Sequence, residues 1–226
     1  MRQERYIRQT VLVGETGQKV LAGKSVLILG CGGLGGYLIE HMLRIGVGSI
    51  TAVDGDRFEE NNLNRQILST ETLLGEGKAE AAASRAEMVN SAVEFIAVNG
   101  FFTEENADLL VRGKDLVLDG LDNIPSRLLA EDVCARYGVP LVHGAICAEH
   151  VQVAVVPPQS GMLHLLYSGA VGGKPSKESI SYTPACCAAI QCAEAKKILL
   201  GETSALWGKV MQLNLTDLTQ TILTLA

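Results

Sequence analysis

The sequence predicts an α/β protein with a doubly wound, mostly parallel, Rossmann-like sheet and additional C-terminal strands that are partly antiparallel. Short, continuously apolar runs alternate with segments of helical periodicity between residues 25 and 146, as expected where helices cover both faces of a parallel sheet. The first apolar run breaks at a glycine cluster that opens a helix, which is the arrangement of a βαβ unit. The 226 residues contain neither an internal repeat nor a linker, so a single domain is expected.

The first βαβ unit begins with the apolar run Ser25–Leu29, which predicts a strand buried on both faces. Apolar residues then recur at helical spacing over residues 34–43, and Gly46 provides the stop that ends the helix. A second buried strand is expected over residues 49–53, ending at Asp54.

The alternation of helices and strands continues after this unit, with Thr103 as a helix N-cap, Pro125 in a first turn and Gly138 as a helix stop. The predicted elements are, in order, a helix over 78–90, a strand over 93–98, a helix after Thr103, a strand over 116–118, a helix over 125–137 and a strand over 141–145.

The last third of the sequence changes character after His150. Residues 150–156 alternate as a strand does, and Pro157-Pro158 begins a Gly- and Ser-rich stretch that predicts a loop. Thr183 and Pro184 predict an N-cap followed by a first-turn proline, with the helix continuing through Leu200. Residues 208–215 predict one late strand.

Composition excludes several classes of protein. A formal net charge of −6 without a Lys/Arg cluster argues against a nucleic-acid-binding surface. No signal peptide and no apolar run long enough to span a bilayer is present in the sequence, so a cytoplasmic protein without a membrane partner is expected. The six cysteines lack any C-x-x-C pair, so neither a disulfide framework nor a paired-cysteine zinc site is predicted.

A glycine loop and an acidic residue predict a nucleotide site. The loop supplies Gly30, Gly32, Gly33 and Gly35 between a strand and a helix, where glycines admit a phosphate close to the backbone and the helix N-terminus favours its charge. Asp54 ends the next strand, where a carboxylate can accept hydrogen bonds from ribose hydroxyls. These residues alone fit an NAD-dependent oxidoreductase equally well.

Cationic residues beyond Asp54 favour a triphosphate over NAD. Arg65, beside Asn62 and Gln66, follows the ribose-binding strand, and Lys78 begins the next helix, so both cations can reach phosphates in one crevice. Asp122 follows the fourth strand and provides a hard oxygen ligand for Mg²⁺.

The chain resembles the ThiF/MoeB/HesA family, relatives of the ubiquitin-activating enzymes, over nearly its whole length. The motifs are R-Y-x-R-Q at 5–9, GCGGLG at 30–35, Asp54 with Asp56, NLNRQ at 62–66, Lys78, DGLDN-x-x-x-R at 119–127, and the segment from Gln191 to Lys197. The resemblance implies an ATP-dependent adenylyltransferase that uses ATP and Mg²⁺, with Asp122 on the metal. It implies catalytic roles for Arg65, Lys78 and Asp122, and for Arg8 reaching the phosphates of the neighbouring subunit in a homodimer. Together with the residues derived above, it gives this nucleotide-binding set: Gly30, Gly32, Gly33, Gly35, Asp54, Asp56, Asn62, Asn64, Arg65, Gln66, Lys78, Asp122 and Asn123.

The same resemblance implies one ThiF-like adenylating domain over residues 1–226. Its parts are an N-terminal helical segment (1–24), nucleotide-binding βα units (25–146), and acceptor-binding strands, a crossover loop and a C-terminal helix (147–226). The expected acceptor is the C-terminal carboxylate of a small ubiquitin-like sulfur carrier of the ThiS/MoaD type that ends in Gly-Gly, as in thiamin or molybdopterin pathways. A peptide or small-molecule carboxylate remains an alternative acceptor, and an NAD(P)-binding oxidoreductase is a third hypothesis. The sequence identifies neither the acceptor nor the pathway.

The chain departs from the family pattern in its cysteines. Many relatives carry two zinc-binding C-x-x-C pairs, which are missing here, so this is expected to be a short form without zinc. Residues 159–183 hold no cysteine for a thioester or persulfide. Cys186 and Cys187 fall in the first turn of the predicted helix, where flanking apolar residues favour a packing role. His143 and His150 are expected to be core or surface residues rather than catalysts.

Overall fold

The computed structural model describes residues 4–169 and 178–225, which hold an eight-stranded sheet flanked by helices. The strands are β1 (Ser25–Leu29), β2 (Ser49–Asp54), β3 (Glu94–Asn99), β4 (Leu116–Asp119), β5 (Leu141–Cys147), β6 (His150–Val156), β7 (Lys209–Asn214) and β8 (Gln220–Thr224). The helices are α1 (Ile7–Ala22), α2 (Gly33–Ile45), α3 (Lys78–Asn90), α4 (Glu104–Val111), α5 (Ile124–Tyr137), α6 (Met162–Leu166) and α7 (Tyr182–Leu199).

The strand order is β3-β2-β1-β4-β5-β6-β7-β8. Strands β1 to β5 pair in parallel, whereas β5 to β8 pair antiparallel. The predicted fold class is therefore confirmed. The direction of winding reverses between β1 and β4, and in open α/β sheets such a switch point opens a crevice at the carboxyl ends of the strands.

Two hydrophobic cores cover the two faces of the sheet. On one face Val26 and Ile28 of β1 pack in a cluster with residues of α2, α3 and α7. On the other face Leu27 and Leu29 pack with residues of α4, α5 and α6. This alternation along β1 explains why the strand is apolar at successive positions, because both of its faces are buried.

Helix α7 is joined to the sheet by Gln191, which is fully buried. Its side-chain Nε2 donates to the carbonyls of Asp119 (2.9 Å) and Val142 (3.2 Å). A Cβ on Gly144 would lie 2.3 Å from Gln191 Oε1, so only glycine admits this close approach. Gln191 thus fixes α7 over the carboxyl end of β4 and the first half of β5.

Most predicted elements are confirmed to within two residues, and the differences lie in the last third of the chain. Helix α7 begins at Tyr182 with Ser181 in the cap position, so the N-cap prediction for Thr183 is wrong. The predicted loop after Pro157 contains the short helix α6, and strand β8 was not predicted at all. Residues 170–177 of the predicted loop lie outside the described residues. None of the described helices is long and apolar enough to cross a membrane.

Candidate active site

The glycine loop between β1 and α2 is shaped by backbone contacts of two of its members. Gly30 has φ +90°, and a Cβ there would lie 2.9 Å from the carbonyl oxygen of Gly120. A Cβ on Gly35 would lie 1.8 Å from the carbonyl oxygen of Gly30, so a side chain is excluded. At Gly32 and Gly33, by contrast, the nearest protein atom would be 3.7 Å away. The packing of the protein does not require glycine at these two positions, which face an open cavity.

Asp54 at the end of β2 is tied to the loop by two backbone N–H groups. The amide of Cys31 donates to Oδ2 (2.7 Å) and the amide of Asp56 donates to Oδ1 (2.8 Å). Each carboxylate oxygen keeps free acceptor capacity, so Asp54 can still receive a pair of hydroxyl donors. Burial raises the pKa of Asp54, while both backbone hydrogen bonds and Lys78 oppose that shift.

Lys78, the first residue of α3, is a cation that is nearly buried, with 7 % of its surface exposed. Its Nζ lies 3.1 Å from Asp56 Oδ2, and its backbone amide donates to the carbonyl of Asp56. The β2–α3 connection therefore holds an ion pair in the wall of the cavity, and Lys78 can exchange this partner for a phosphate.

The segment after β2 provides the second predicted cation, Arg65. Its Nη1 donates to the carbonyl of Asn61 (2.6 Å) and to Asn64 Oδ1 (2.9 Å). Gln66 also lines the cavity, and its buried Oε1 has no hydrogen-bond partner. A buried unpaired amide oxygen is costly, and it indicates a missing donor at this position.

The turn between β4 and α5 carries Asp122 and Asn123. Asn123 caps α5, because its side chain accepts from the amide of Ser126 (2.9 Å), and such a cap contributes about 1 kcal/mol. Its Nδ2 donates to Asp122 Oδ1 (3.3 Å), which aims the exposed carboxylate of Asp122 at the cavity.

A cavity of about 340 Å³ brings most of the predicted residues together, within the size range of small-molecule sites. Within the described ranges no group of three His, Cys, Asp or Glu side chains could hold a metal. Asp122 fits Mg²⁺, since this ion is usually held by one or two carboxylates together with substrate phosphates. The predicted residues that line the cavity are Gly30, Gly32, Gly33, Asp54, Asp56, Arg65, Gln66, Lys78, Asp122 and Asn123.

Four predicted residues do not line this cavity. Gly35 closes the turn against Gly30, as described above. Asn62 is buried, and its Oδ1 accepts a hydrogen bond from the amide of Glu59 (3.1 Å). This bond is part of the cap of the short 3-10 helix Glu60–Asn62. Asn64 Nδ2 donates to the carbonyl of Ser179 (3.2 Å). Direct contact of these three with a nucleotide therefore stays a prediction.

Arg8, the fourth such residue, lies near the C-terminal end of α3, whereas the cavity is at the other end of that helix. It is exposed on α1, two residues after Tyr6, whose hydroxyl accepts from Asn90 at the end of α3. Lys78 begins α3, and thirteen helical residues span about 20 Å. A single chain therefore does not bring Arg8 to the cavity, and the predicted role in a neighbouring subunit stays a prediction.

A second cavity of about 480 Å³ opens beside the first. Its floor is one face of β5, β6, β7 and β8, where cross-strand pairing puts Cys147 opposite His150 and Gln152 opposite Gln212. The other face of these strands packs on α7 through residues such as Val151 and Val153. Among the described residues Arg127 and Ile146 line both cavities, so the cavities meet there.

Cysteine chemistry is disfavoured at the start of α7. Cys186 and Cys187 are the fifth and sixth residues of the helix, so their predicted place in its first turn is wrong. Burial raises the pKa of both thiols, and Cys187 is fully buried. A packing role is the physical consequence. Cys147, by contrast, is exposed and lines the second cavity.

Comparison with known proteins identifies the family. The model of the ThiF family matches residues 6–226. The chain belongs to the ThiF family. The predicted resemblance is therefore confirmed over nearly the whole sequence.

Two ThiF-family relatives are similar over most of their length. The SAMP-activating enzyme E1 of Haloferax volcanii is 34% identical over 223 residues, covering 96% of this chain and 83% of the relative. A sulfur carrier protein adenylyltransferase of Thermus thermophilus is 37% identical over 221 residues, covering 92% and 82%. The predicted enzyme class, an ATP-dependent adenylyltransferase, agrees with both names.

Solved structures show the same fold at lower sequence identity. E. coli MccB crystallised with ATP aligns with a TM-score of 0.83 at 19% identity, covering all of this chain and 72% of that chain. PaaA aligns with a TM-score of 0.84 at 20% identity, covering 98% and 73%. At a sequence identity this low, these comparisons show a similarity of fold alone.

Proposed function

We propose that this chain is an ATP-dependent adenylyltransferase that activates the C-terminal carboxylate of a small ubiquitin-like sulfur carrier ending in Gly-Gly. One observation carries the proposal: a cavity with a glycine loop, an acidic strand end and two cations opens at Arg127 into a second cavity over the antiparallel strands. Residues 25–146 hold the nucleotide and residues 147–226 supply most of the acceptor cavity, within one adenylating domain over 1–226. The names of the two relatives support this reaction and this class of acceptor.

The side chains of the first cavity suit a reaction between two anions. Bound Mg-ATP supplies an electrophilic α-phosphorus and a pyrophosphate leaving group. Asp54 orients the ribose, Arg65 and Lys78 neutralise phosphate oxygens, and Asp122 holds the metal. Preorganised electrostatic groups of this kind contribute about 3 kcal/mol each to the transition state. No protein nucleophile is required, which agrees with the buried, high-pKa thiol of Cys187.

The second cavity suits an extended peptide tail. Its floor is an open sheet face lined by amide and hydroxyl side chains, among them Gln152, Gln212 and Thr221. Such groups can hydrogen-bond the backbone of a tail that lacks side chains, as a Gly-Gly terminus does. Glycines also lack side chains that could collide with Arg127 and Ile146 where the two cavities meet.

A homodimer is proposed from the exposed face of α1. Val11 and Leu12 are 85% and 86% exposed, and Ile7 is 60% exposed, on a helix of which only Leu21 is buried. Adjacent exposed apolar residues of this size favour a protein partner, and a second copy would bring its own Arg8 with it. The cytoplasmic location stays a prediction.

The decisive experiment is acceptor-dependent exchange of labelled pyrophosphate into ATP in the presence of Mg²⁺. Purified protein is assayed with ubiquitin-like sulfur carriers ending in Gly-Gly, with the same carriers lacking the last glycine, and with small carboxylic acids. We expect exchange only with the intact carriers. Exchange with a peptide or a small acid alone would replace the proposed acceptor, and no exchange combined with tight NAD binding would reject adenylation.

A further inference from the structure

A buried polar network connects the two cavities through the carboxyl end of β4 and the middle of β5. Asp119 and His143 are directly paired across these strands, both with no exposed surface, and Asp119 Oδ2 lies 2.6 Å from His143 Nδ1. His143 Nε2 lies 3.0 Å from the hydroxyl of Tyr167, which follows α6. The Tyr167 hydroxyl is in turn 3.2 Å from Arg127 Nη1 and 3.4 Å from Gln152 Nε2.

The direction of each hydrogen bond in the network follows from the chemistry of Asp119. An ionised carboxylate only accepts, so His143 Nδ1–H donates to Asp119 and Nε2 is left as an acceptor. Burial lowers the pKa of His143 against the opposing effect of Asp119, which keeps the imidazole neutral. The Tyr167 hydroxyl therefore donates inward to His143 and accepts from Arg127 on its outer side.

Arg127 is held in one orientation by this network. Its Nη2 donates to the carbonyl of Leu121 (2.6 Å), its Nη1 donates to Tyr167, and its guanidinium carbon lies 5.8 Å from the centre of the Tyr167 ring. Its Nε is 3.7 Å from Asp119 Oδ2 and makes no hydrogen bond. Asp119 already accepts from His143 and from the amide of Leu121. Asp119 therefore faces Arg127 as a counter-ion without a direct hydrogen bond, and the guanidinium keeps N–H groups that can bind a further acceptor.

The position of Arg127 matches the path of the reacting group. An acceptor carboxylate has to pass from the second cavity into the first to meet the phosphate, and Arg127 and Ile146 line both. Ile146 offers no charge, whereas each terminal nitrogen of Arg127 has a second N–H to donate. A guanidinium is also the cation best suited to bind a carboxylate with two hydrogen bonds.

We propose that Arg127 binds the acceptor carboxylate where the two cavities meet, and that Tyr167, His143 and Asp119 are positioning residues that hold its guanidinium there. This inference rests on the proposed function, because the acceptor is the carboxylate substrate of that reaction. It adds a recognition element on the acceptor side that is separate from the phosphate-binding cations Arg65 and Lys78.

The test uses a matched pair of contacts in the same protein. Arg112 Nη2 donates to the hydroxyl of Tyr137 (3.2 Å) and stacks on its ring (5.4 Å), which reproduces the Arg127–Tyr167 contact. Neither Arg112 nor Tyr137 lines either cavity. Tyr167→Phe and Arg127→Lys are therefore compared with Tyr137→Phe and Arg112→Lys.

The measurement is pyrophosphate exchange at varied concentrations of a Gly-Gly-ended sulfur carrier and, separately, of ATP. We expect Tyr167→Phe to raise the KM for the carrier about tenfold and Arg127→Lys to lower kcat/KM for the carrier about 100-fold, with the KM for ATP within twofold of wild type. Calorimetric titration of the carrier in the presence of AMPCPP should show the same weakening without turnover. Both control variants should match wild type.

Equal changes in the two KM values, or an unchanged KM for the carrier in Tyr167→Phe, would overturn the inference while leaving adenylation intact. If Arg127→Lys does not fold, the Tyr167→Phe result alone decides. Absence of exchange in the wild-type protein would instead count against the proposed function. The two failures are therefore distinguishable.

Discussion

At the scale of single residues, the charged groups of the nucleotide cavity are held in place by one another and by backbone amides. Lys78 is nearly buried against Asp56, and Asp54 is fixed by two amides. Groups held in this way need little reorganisation when a substrate arrives, which is the main source of electrostatic catalysis. Arg65 is the exception, because its guanidinium donates to two neutral oxygens, the carbonyl of Asn61 and Oδ1 of Asn64. Its full charge is available to a phosphate.

Arg65→Ala should therefore remove exchange activity without unfolding the protein. We expect kcat for pyrophosphate exchange to fall at least about 100-fold, the usual effect of deleting one transition-state charge contact. The thermal midpoint should shift by less than about 2 °C, since the side chain is half-exposed. Arg57→Ala is the matched control, because Arg57 is exposed in the same segment and binds the carbonyl of Gly75 (2.7 Å). Exchange retained by the Arg65 variant would contradict the assignment.

The sequence predicts residues of the site well where a local pattern fixes their place. Asp54 and Lys78 stand at the end of a strand and the start of a helix, and the structure puts both in the cavity wall. Asn64 lies in a turn, where its side-chain direction depends on a distant contact with the carbonyl of Ser179. Asn62 instead bonds the amide of Glu59 within its own short helix. The pairing of Asp119 with His143 was not predicted, because it depends on the register between two strands.

At the scale of elements, helices α2 and α3 are linked by an acidic side chain between two arginines. Glu40 on α2 is almost fully buried, and it accepts from Arg44 (2.8 Å) and from Arg85 of α3 (2.9 Å). Burial raises the pKa of Glu40, but the hydrogen bonds from Arg85 and Arg44 outweigh it, so the net pKa is lowered. The cluster therefore stabilises the two helices that frame the glycine loop and Lys78.

Glu40→Gln should lower stability at neutral pH and weaken its acid dependence. Because the folded pKa lies below the unfolded value of about 4.3, the carboxylate contribution is present above that pH and is lost as pH falls through the folded pKa. We expect the free energy of unfolding at pH 7 to fall by about 1–2 kcal/mol. The effect is no larger because both arginines are partly exposed, and solvent screens their interaction with Glu40. Urea unfolding between pH 3 and pH 7 measures it, with Glu87→Gln on the exposed side of α3 as control. An acid dependence equal to that of wild type would refute this role for Glu40.

Helices and strands were predicted correctly where capping or turn residues mark their ends. They were missed where the stabilising contacts come from distant parts of the sequence. Helix α6 is capped by Glu131 of α5, which accepts from the amides of Leu163 (2.9 Å) and His164 (3.0 Å). Glu131 is about thirty positions away in the sequence, so the residues next to α6 contain no capping signal that predicts the helix. Strand β8 has an exposed burial pattern throughout, so it lacks the alternation that identifies a half-buried strand.

At the scale of the whole molecule, the predicted role of Arg8 requires a second subunit, because Arg8 lies near the C-terminal end of α3 and away from the cavity. Helix α1 is attached to the carbonyl of Ile45 by Gln9 (2.9 Å) and Gln18 (3.0 Å), which fixes this distance. In a twofold dimer, each copy can supply to its partner what it does not supply to itself.

Mixing inactive variants tests this arrangement. Arg8→Ala and Lys78→Ala should each abolish exchange. A heterodimer of the two variants, however, has one intact site, in which the Arg8→Ala subunit supplies Lys78 and the Lys78→Ala subunit supplies Arg8. We expect equal mixtures, after unfolding and refolding together, to recover about a quarter of wild-type activity. Mixtures of Lys78→Ala with Arg65→Ala are the control and should stay inactive, because both residues belong to the same chain's cavity. No recovery in the first mixture would place Arg8 outside the site.

The pairing of β1 with β4 also governs the route by which the chain folds. Strands β1, β2 and β3 join neighbours that are close in sequence, whereas the contact between Ser25 and Asp115 closes a loop of 90 residues. The entropy of closing that loop is lost before the interactions across it can form. Pairings between strands that are close in sequence, such as β1 with β2 and β5 with β6, are therefore expected to form before the switch point at which the nucleotide crevice opens.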